Sequence, residues 1–462
     1  MLEKFKGKKI ALYGLGANTQ KFICETGDFF DIVGLLDGFR TEGELYGKKI
    51  IDFNNCAEYG VELIVVVARP GSCKAIAKKI SKACEKSGIE LYDVHGKNLI
   101  DDTHDYFTYS GLLDYISEEM DISNIRVQLF THRLNEIVNK SDEYNKDHLC
   151  IDNPYDIGYL FCAPIITDFV LWMRDYVKNS NIQNVLMCAR DGYLIDRLYR
   201  RITSEKACTY FYTSRTAAIR AGVSDKADLE YVDSMKFSGS LEKNIYERFG
   251  IYVNGCGLDN DWNGAVRFQA EILKRAKILK MGYKKYVDTL SLKEGDTALF
   301  DFVAKGTTQY YLERIIENKL IGLYFLQPEP DSMKDKNLDI VTFYTKEELE
   351  TSVIYNSYYI LETVLTSSEP SVSEISENGI PVFGEETRDM EAIRCSEIVQ
   401  KGIEDYFSQY IEAAGNKYTI DKQADELFLR LMNNVEIVSD KFLNMVIEDP
   451  FFNRATKVMD VL

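Results

Sequence analysis

The chain repeats one unit, in which an apolar strand ends in a short polar loop and a helix follows. In the N-terminal part, the strand-like apolar runs lie at 8–13, 31–37 and 62–68. In the second half, they lie at 184–189, 207–213, 298–300 and 320–326. Strands joined by helical crossovers pair in parallel, because a tight hairpin joins only antiparallel strands. The sequence therefore predicts an α/β protein with a parallel sheet in each half.

Charge and cysteine content exclude several classes of protein. The net charge is −18, which disfavours wrapping of nucleic acid and binding flat on an anionic membrane. The ten cysteines include no C-x-x-C pair, so they indicate reduced thiols and neither disulfides nor zinc ligands. The N-terminus leads straight into a strand, and no apolar run reaches the roughly 18 residues of a membrane span. We therefore expect a cytoplasmic protein without an integral membrane segment or a nucleic-acid partner.

A glycine loop and an acid close the first two strands, at Gly14-Leu-Gly16 and at Asp37. In dinucleotide-binding folds such glycines approach the pyrophosphate, and such an acid meets a ribose hydroxyl. The third glycine of that pattern is missing here. With its G-h-h-D strand (34–37) and G-K-K-I strand (47–50), the segment resembles the small Rossmann-like modules at the front of polysaccharide-biosynthesis proteins. The resemblance implies a nucleotide or nucleotide-sugar site at Gly14, Gly16 and Asp37, with a purely structural module as the alternative.

The stretch 297–309 combines an acid, a base, a glycine and hydroxyls between a strand and a helix. The strand ends in Asp301, and the loop that follows carries Lys305, Gly306, Thr307 and Thr308. A Gly/Thr loop at a helix N-terminus directs free N–H groups and the positive end of the helix dipole at one point. The pattern therefore predicts an anion site, most often a phosphate site, with a carboxylate suited to sugar hydroxyls. The alternative is a tight strand-to-helix turn with a threonine cap.

Two more strands of the second half end in polar side chains. Arg190, Asp191 and Gly192 follow the strand at 184–189, and Ser214 and Arg215 follow the strand at 207–213. Ligands of open parallel sheets bind at the carboxyl ends of the strands. Together with Asp301 and Lys305, these ends predict a cationic cleft with two arginines, a lysine and two aspartates. Such a cleft suits a polyphosphate and a metal ion.

Longer stretches around these strand ends carry a family resemblance. V-L-M-C-A-R-D-G-Y and A-L-F-D-F-V-A-K-G-T-T resemble the phosphoribosyltransferase fold. More narrowly, residues 150–385 resemble bacterial surface-polysaccharide proteins that are often described as haloacid-dehalogenase-superfamily hydrolases. Their C-terminal halves look like phosphoribosyltransferases that supply ribofuranose to glycans. The resemblance also covers Y-Y-I-L-E-T-V-L-T-S-S-E-P-S-V (358–372) and E-N-G-I-P-V-F (377–383).

The resemblance implies a role for each matching residue. Asp301 would contact the ribose hydroxyls, the loop at 305–308 would hold the 5-phosphate, and Arg190 and Asp191 would face a diphosphate bound with Mg²⁺. The catalytic residues it implies are Asp301, Asp191 and Arg190, and the substrate-binding residues are Lys305, Gly306, Thr307, Thr308, Gly192, Ser214, Arg215 and Glu362. Asp191 and Glu362 are the candidate bases for the acceptor. Two departures weaken these roles: Phe302 replaces the usual second acid, and Lys305 stands where a threonine is expected.

The sequence predicts four regions. They are a Rossmann-like module at 1–100, a helical connector at 101–150, a phosphoribosyltransferase-like α/β domain at 151–385 with a helical insertion at about 221–290, and a helical region at 386–462. The expected activity is phosphoribosyl or ribofuranosyl transfer from phosphoribosyl diphosphate to a hydroxyl of a glycan or lipid-linked glycan. One alternative is a non-catalytic nucleotide- or sugar-phosphate-binding protein. The other is a haloacid-dehalogenase-like phosphohydrolase, whose D-x-D-x-T nucleophile loop Asp301-Phe-Val does not match.

Overall fold

The chain forms two compact units. A computed structural model describes residues 5–26, 29–38, 40–68, 70–100, 106–140, 149–204, 207–235, 237–253, 264–349, 352–449 and 451–462. The first unit comprises Met1–Tyr106, Tyr355–Tyr359 and Met459–Leu462, and the second comprises Phe107–Ile354 and Ile360–Val458. Parts of the predicted connector (101–105 and 141–148) and of the predicted insertion (254–263) lie outside the described residues. Both units contain parallel sheets, which confirms the α/β class.

The first unit is built on a four-stranded parallel sheet in the order β2-β1-β5-β6. Its elements are β1 Lys9–Tyr13, α1 Ala17–Thr26, β2 Asp31–Leu36, β3 Glu44–Leu45, β4 Lys48–Lys49, β5 Leu63–Val66, α2 Pro70–Ser87 and β6 Glu90–Asp93. Apolar clusters pack on both faces of this sheet, as expected where helices cover a parallel sheet. The strand order reverses between β1 and β5, so the carboxyl end of β1 lies at a topological switch point.

The second unit is built on a five-stranded parallel sheet in the order β12-β11-β10-β8-β9. The strands and the helices between them are β8 Asn184–Cys188, α7 Gly192–Ile202, β9 Thr209–Phe211, α8 Arg215–Gly222, α9 Lys226–Asp233, α10 Leu241–Phe249, α11 Gln269–Thr289, β10 Thr297–Val303, α12 Thr307–Ile316, β11 Ile321–Leu326 and β12 Asp339–Tyr344. The chain runs from β8 outward to β9 and then returns to the other side of β8. The switch point of this sheet therefore lies between β8 and β10.

The remaining elements belong to the second unit, except for residues Tyr355–Tyr359 and Met459–Val461, which belong to the first. They are α3 Tyr109–Glu119, α4 Ile125–Lys140, β7 Cys150–Ile151, α5 Pro154–Ile157, α6 Ala163–Asn179, α13 Lys346–Leu349, α14 Ile354–Leu365, β13 Val372–Ile375, β14 Pro381–Phe383, α15 Met390–Ala414, α16 Lys422–Leu431, β15 Glu436–Ile437, α17 Asp440–Leu443, β16 Val446–Asp449, β17 Arg454–Lys457 and α18 Val458–Val461. The described parts of the predicted insertion are helical, as α9 to α11.

Helix α6 covers one face of the five-stranded sheet. Its Phe169 ring contacts the rings of Phe300, Phe302 and Phe325 at centroid distances of 5.7, 6.3 and 5.4 Å. Among the described residues, one helical stretch, Pro154–Asn179, is long and apolar enough to cross a membrane, and 94% of its most apolar window is buried in the protein. This segment is therefore a buried helix of the second unit that packs against the sheet.

The C-terminal region is mostly helical but ends in a hairpin that the sequence did not predict. Strands β16 and β17 pair antiparallel. The turn between them is held by the buried Arg248, whose Nε donates to the carbonyl of Phe451 at 3.0 Å. The same guanidinium lies 4.4 Å from the centroid of the Phe451 ring. Two four-residue strands give too short an alternation to be recognised from the sequence, and the arginine that contacts their turn lies far away in the chain.

Candidate functional site

Two aspartates meet at the switch point of the second sheet. Asp191 lies in the short turn between β8 and α7, and Asp301 lies on the neighbouring strand β10. Phe300 and Phe302 face α6, so Asp301 faces the opposite side of the sheet. Burial raises the pKa of Asp301 to about 7, and the nearby charge of Asp191 adds to the increase. Burial likewise raises the pKa of Asp191 to about 6.

Two arginines face the same point. Arg190 precedes Asp191, and its positive charge lowers the pKa of that carboxyl against the effect of burial. Arg215 begins α8, directly after the edge strand β9, and its charge lowers the pKa of both Asp191 and Asp301. Three adjacent strands thus supply Arg190, Asp191, Arg215 and Asp301. The order of the strands in the sheet places these strand ends side by side.

Two further carboxylates join this group from outside the sheet. Glu362 lies on α14, and burial followed by the charges of Asp191 and Asp449 raises its pKa well above its ordinary value. Asp449 ends β16 and accepts from Arg215 Nη1 at 3.1 Å. Sequence reasoning named Glu362 but missed Asp449, because nothing near Asp449 in the chain marks it as a partner of Arg215.

We use the term charge cluster for Arg190, Asp191, Arg215, Asp301, Glu362 and Asp449. The cluster contains four carboxylates and only two guanidinium groups, so it is acidic when every carboxyl is ionised. The net charge at neutral pH depends on which carboxyls hold protons, so the cationic cleft stays a prediction. The ionised carboxylates would repel an anionic ligand that binds alone. A divalent cation bound with the ligand, or protons on the carboxyls, would offset this negative charge.

Water reaches part of the charge cluster, and we call this partly covered region the recess. Asp191, Asp301 and Glu362 are neither fully buried nor exposed, yet burial is the largest cause of each raised pKa. Carboxyls on the floor of a cleft have this combination of access and poor solvation. Titratable groups with raised pKa values in a cleft are typical of functional sites.

The loop after β10 is directed elsewhere. Lys305 Nζ pairs with Glu329 Oε2 at 2.6 Å. Gly306 adopts a φ of +106° at the start of α12, and a Cβ there would lie 2.9 Å from the Leu338 side chain. Thr307 and Thr308 are 5% and 7% exposed. The structure therefore covers this loop with side chains, and its role as a 5-phosphate site stays a prediction.

Ser214 and Gly192 have evident local roles. The Ser214 hydroxyl accepts from the Ala217 amide at 3.0 Å, which caps α8, and donates to the Val372 carbonyl at 2.6 Å. Gly192 begins α7 against Met187, where a Cβ would lie 2.9 Å from backbone carbon. Both residues border the charge cluster, but their contacts position α7 and α8.

The first unit presents a simpler switch point. Gly14 has a φ of +131°, and a Cβ there would lie 2.5 Å from the Val67 carbonyl oxygen. The carboxylate of Asp37 accepts from the Arg40 amide at 3.1 Å. Gly16 is exposed, with open space beside it. The loop geometry is therefore that of a close strand-to-helix turn, and a nucleotide site at Gly14, Gly16 and Asp37 stays a prediction.

Within the described residues, no group of three or more His, Cys, Asp and Glu side chains is arranged to hold a metal ion. Asp191 and Asp301 nevertheless offer two carboxylates on adjacent strand ends. Mg²⁺ is usually bound in this way, through one or two carboxylates together with substrate phosphates and water. No protein-family model matches the chain, and no curated protein matches it significantly.

Proposed function

We propose that the second unit binds phosphoribosyl diphosphate with Mg²⁺ and transfers the phosphoribosyl group to a hydroxyl of a glycan or lipid-linked glycan in the cytoplasm. The observation that carries the proposal is the charge cluster at the switch point between β8 and β10. Sequence resemblance supplies the choice of donor. The geometry supports a phosphorylated ligand that arrives with a divalent cation.

The residues of the charge cluster suit the diphosphate end of the donor. Arg190 and Arg215 face the recess and suit the diphosphate, since a guanidinium pairs with phosphate oxygens through two parallel hydrogen bonds. Asp301 would hold Mg²⁺ together with the diphosphate, and Asp191 is left to act as a base. A bound Mg²⁺ neutralises the charge that accumulates on the departing diphosphate.

The transfer itself requires one proton acceptor. The bond between ribose C1 and the diphosphate oxygen breaks, a bond between C1 and the acceptor oxygen forms, and the acceptor hydroxyl gives up its proton. Asp191, with a pKa of about 6, is largely ionised at neutral pH and can take that proton. Glu362 lies in the same cluster, and burial raises its pKa well above its ordinary value, so it suits a hydrogen-bond donor to the sugar whenever it holds its proton.

Phosphomonoester hydrolysis is a second candidate, favoured by the excess of carboxylates over arginines. Hydrolysis with a carboxylate nucleophile and a divalent cation needs acids at adjacent strand ends, and Asp191 and Asp301 are such a pair. Phosphate release from simple monoesters without any acceptor would identify this activity. A non-catalytic sensor would bind ligand without turnover.

Calorimetric titration with phosphoribosyl diphosphate and Mg²⁺ tests the proposal. We expect tight binding to the wild type, weakened binding to Asp301→Asn, and diphosphate release once a glycan acceptor is added. A Lys305→Ala variant decides the role of the loop at 305–308. Because Lys305 pairs with Glu329, we expect less than about a threefold loss of donor affinity, whereas a loss of tenfold or more would restore the 5-phosphate role.

A further inference from the structure

A wall of aromatic rings lies beside the charge cluster, with Tyr210 on the edge strand β9 and Tyr212 directly after it. Tyr210 and Tyr212 contact each other at a centroid distance of 5.3 Å, and Tyr212 meets Phe383 at 5.7 Å with the rings nearly perpendicular. Phe383 ends β14, and 39% of its surface is exposed. The wall therefore offers ring surface to a ligand from solvent.

A carboxylate accompanies these rings. The Tyr212 hydroxyl reaches Glu369 Oε1 at 3.4 Å. Glu369 belongs to the turn after α14, and Arg388 braces that turn by donating to the carbonyls of Ser367 at 2.8 Å and Glu369 at 3.0 Å. The carboxylate is thus placed beside the rings by a fixed piece of backbone.

The wall is continuous with the charge cluster. Thr366, at the end of α14, is within hydrogen-bonding reach of the Asp191 carboxylate. The turn from Thr366 to Glu369 therefore leads from Asp191 to Tyr212. Tyr210 lies between the two regions, since the charges of Glu369 and Asp191 both act on its hydroxyl.

We propose that Tyr212, Phe383 and Glu369 form a saccharide subsite that receives the sugar ring of the acceptor. The C–H faces of a sugar pack on aromatic rings, and its hydroxyls donate to a carboxylate, so rings with one adjacent carboxylate suit this ligand. An acceptor hydroxyl must also come within hydrogen-bond reach of its base, and the subsite adjoins Asp191. This inference extends the proposed transferase function. The identification of the bound sugar as the acceptor rests on that function.

The experiment screens the wild type on a printed array of bacterial surface glycans and then measures the best ligand by saturation-transfer NMR. We expect Phe383→Ala to weaken binding by about tenfold or more, Phe383→Tyr to retain it, and Glu369→Gln to weaken it several-fold. The matched control is Tyr252→Ala, which removes another exposed ring of the second unit, 78% exposed, and should leave binding unchanged.

Donor titration of the same variants separates this inference from the proposed function. Unchanged donor binding with lost glycan binding in Phe383→Ala supports the subsite. Saccharide binding that depends on Phe383 in a protein that binds no donor supports the subsite and overturns the transferase. No glycan binding on the array, equal binding by Phe383→Ala, or a dimer that dissociates in Phe383→Ala overturns the subsite and leaves the donor site standing.

Discussion

The four-stranded and the five-stranded parallel sheets share the order of their first four strands but differ in what they present at their switch points. In the first unit, the reversal between β1 and β5 carries Gly14, and the neighbouring strand ends in Asp37. In the second unit, the reversal between β8 and β10 carries the charge cluster. The comparison teaches that strand order determines where a ligand site can form. The buried charged side chains determine whether a reaction can take place at that site.

The close contacts at the two switch points also differ. Gly14 brings the end of β1 against the Val67 carbonyl, and Asp37 hydrogen-bonds to its own loop. In the second unit, burial and like charge leave Asp301 poorly stabilised as an anion, with a pKa of about 7. Unfavourable charge burial costs stability and persists where a function needs it.

The largest expected effect is that of Asp301→Asn. The amide cannot hold Mg²⁺ as a carboxylate does, so we expect transfer to fall by about 100-fold or more. The same change removes a poorly solvated charge, so the melting temperature of the second unit should rise by a few degrees at pH 8. Diphosphate release and calorimetric unfolding measure the two effects.

Asp37→Asn is the matched control in the other sheet, where we expect neither quantity to change. Asp301→Asn protein that melts lower than the wild type at pH 8 would show that the carboxylate is well stabilised, and the contrast between the two sheets would disappear.

Arg215→Met comes next in size. Loss of a guanidinium that faces the recess should weaken donor binding by about 10- to 100-fold. Because Arg215 lowers the pKa of Asp301, its loss should also move the pH midpoint of donor binding upward. Titrations at several pH values measure both effects.

Arg40→Met, in the first unit, is the control and should leave both quantities unchanged. Unaltered donor affinity in Arg215→Met would mean that Arg215 pairs with Asp449 but does not bind the donor.

Donor affinity is expected to rise by at least about tenfold between pH 5 and pH 8. The Asp301 carboxyl, with a pKa of about 7, must lose its proton to hold Mg²⁺, and the ionisation of Asp191, with a pKa of about 6, adds negative charge that favours the cation. The free energy of unfolding should change the opposite way. The folded state keeps the proton of Asp301 up to about pH 7, whereas the unfolded chain loses it near pH 3.9, so stability falls as pH rises between these values.

Calorimetry across the pH range measures both trends. Asp301→Asn should flatten the fall in stability, and a steep fall that persists in this variant would assign the titration to other groups.

Gly14→Ala should have the smallest effect on the donor. A Cβ at Gly14 would overlap the Val67 carbonyl at a φ of +131°, so the first unit should lose roughly 1–3 kcal/mol of stability. Donor affinity should change by less than twofold, since the charge cluster belongs to the second unit. Hydrogen exchange of β1 and β5 reports the first effect, and titration reports the second. A large loss of donor affinity would place part of the ligand on the first sheet.

The sequence was sufficient to predict the alternation of strands and helices and three of the polar strand ends. Those features are local, because a buried parallel strand reads as an apolar run and its end as the first polar residues after it. Arg190, Asp191, Arg215 and Asp301 were found in this way. The sheet order then brings them together.

The other members of the site could not be predicted, because residues far apart in the sequence form the contacts that place them. Asp449 lies far along the chain from Arg215, and only the folded hairpin brings its carboxylate to 3.1 Å. Lys305 follows Asp301 closely in sequence, yet its side chain finds Glu329. The predicted and observed sets of charged groups differ for this reason: Lys305 lies in another ion pair, and Glu362 and Asp449 join the cluster.

The most direct test of the charge cluster is calorimetric titration of phosphoribosyl diphosphate with and without Mg²⁺. An acidic cluster predicts that the wild type binds the donor tightly only with Mg²⁺, and that Asp301→Asn loses most of this dependence. Tight binding without Mg²⁺, equal in the wild type and in Asp301→Asn, would contradict the account.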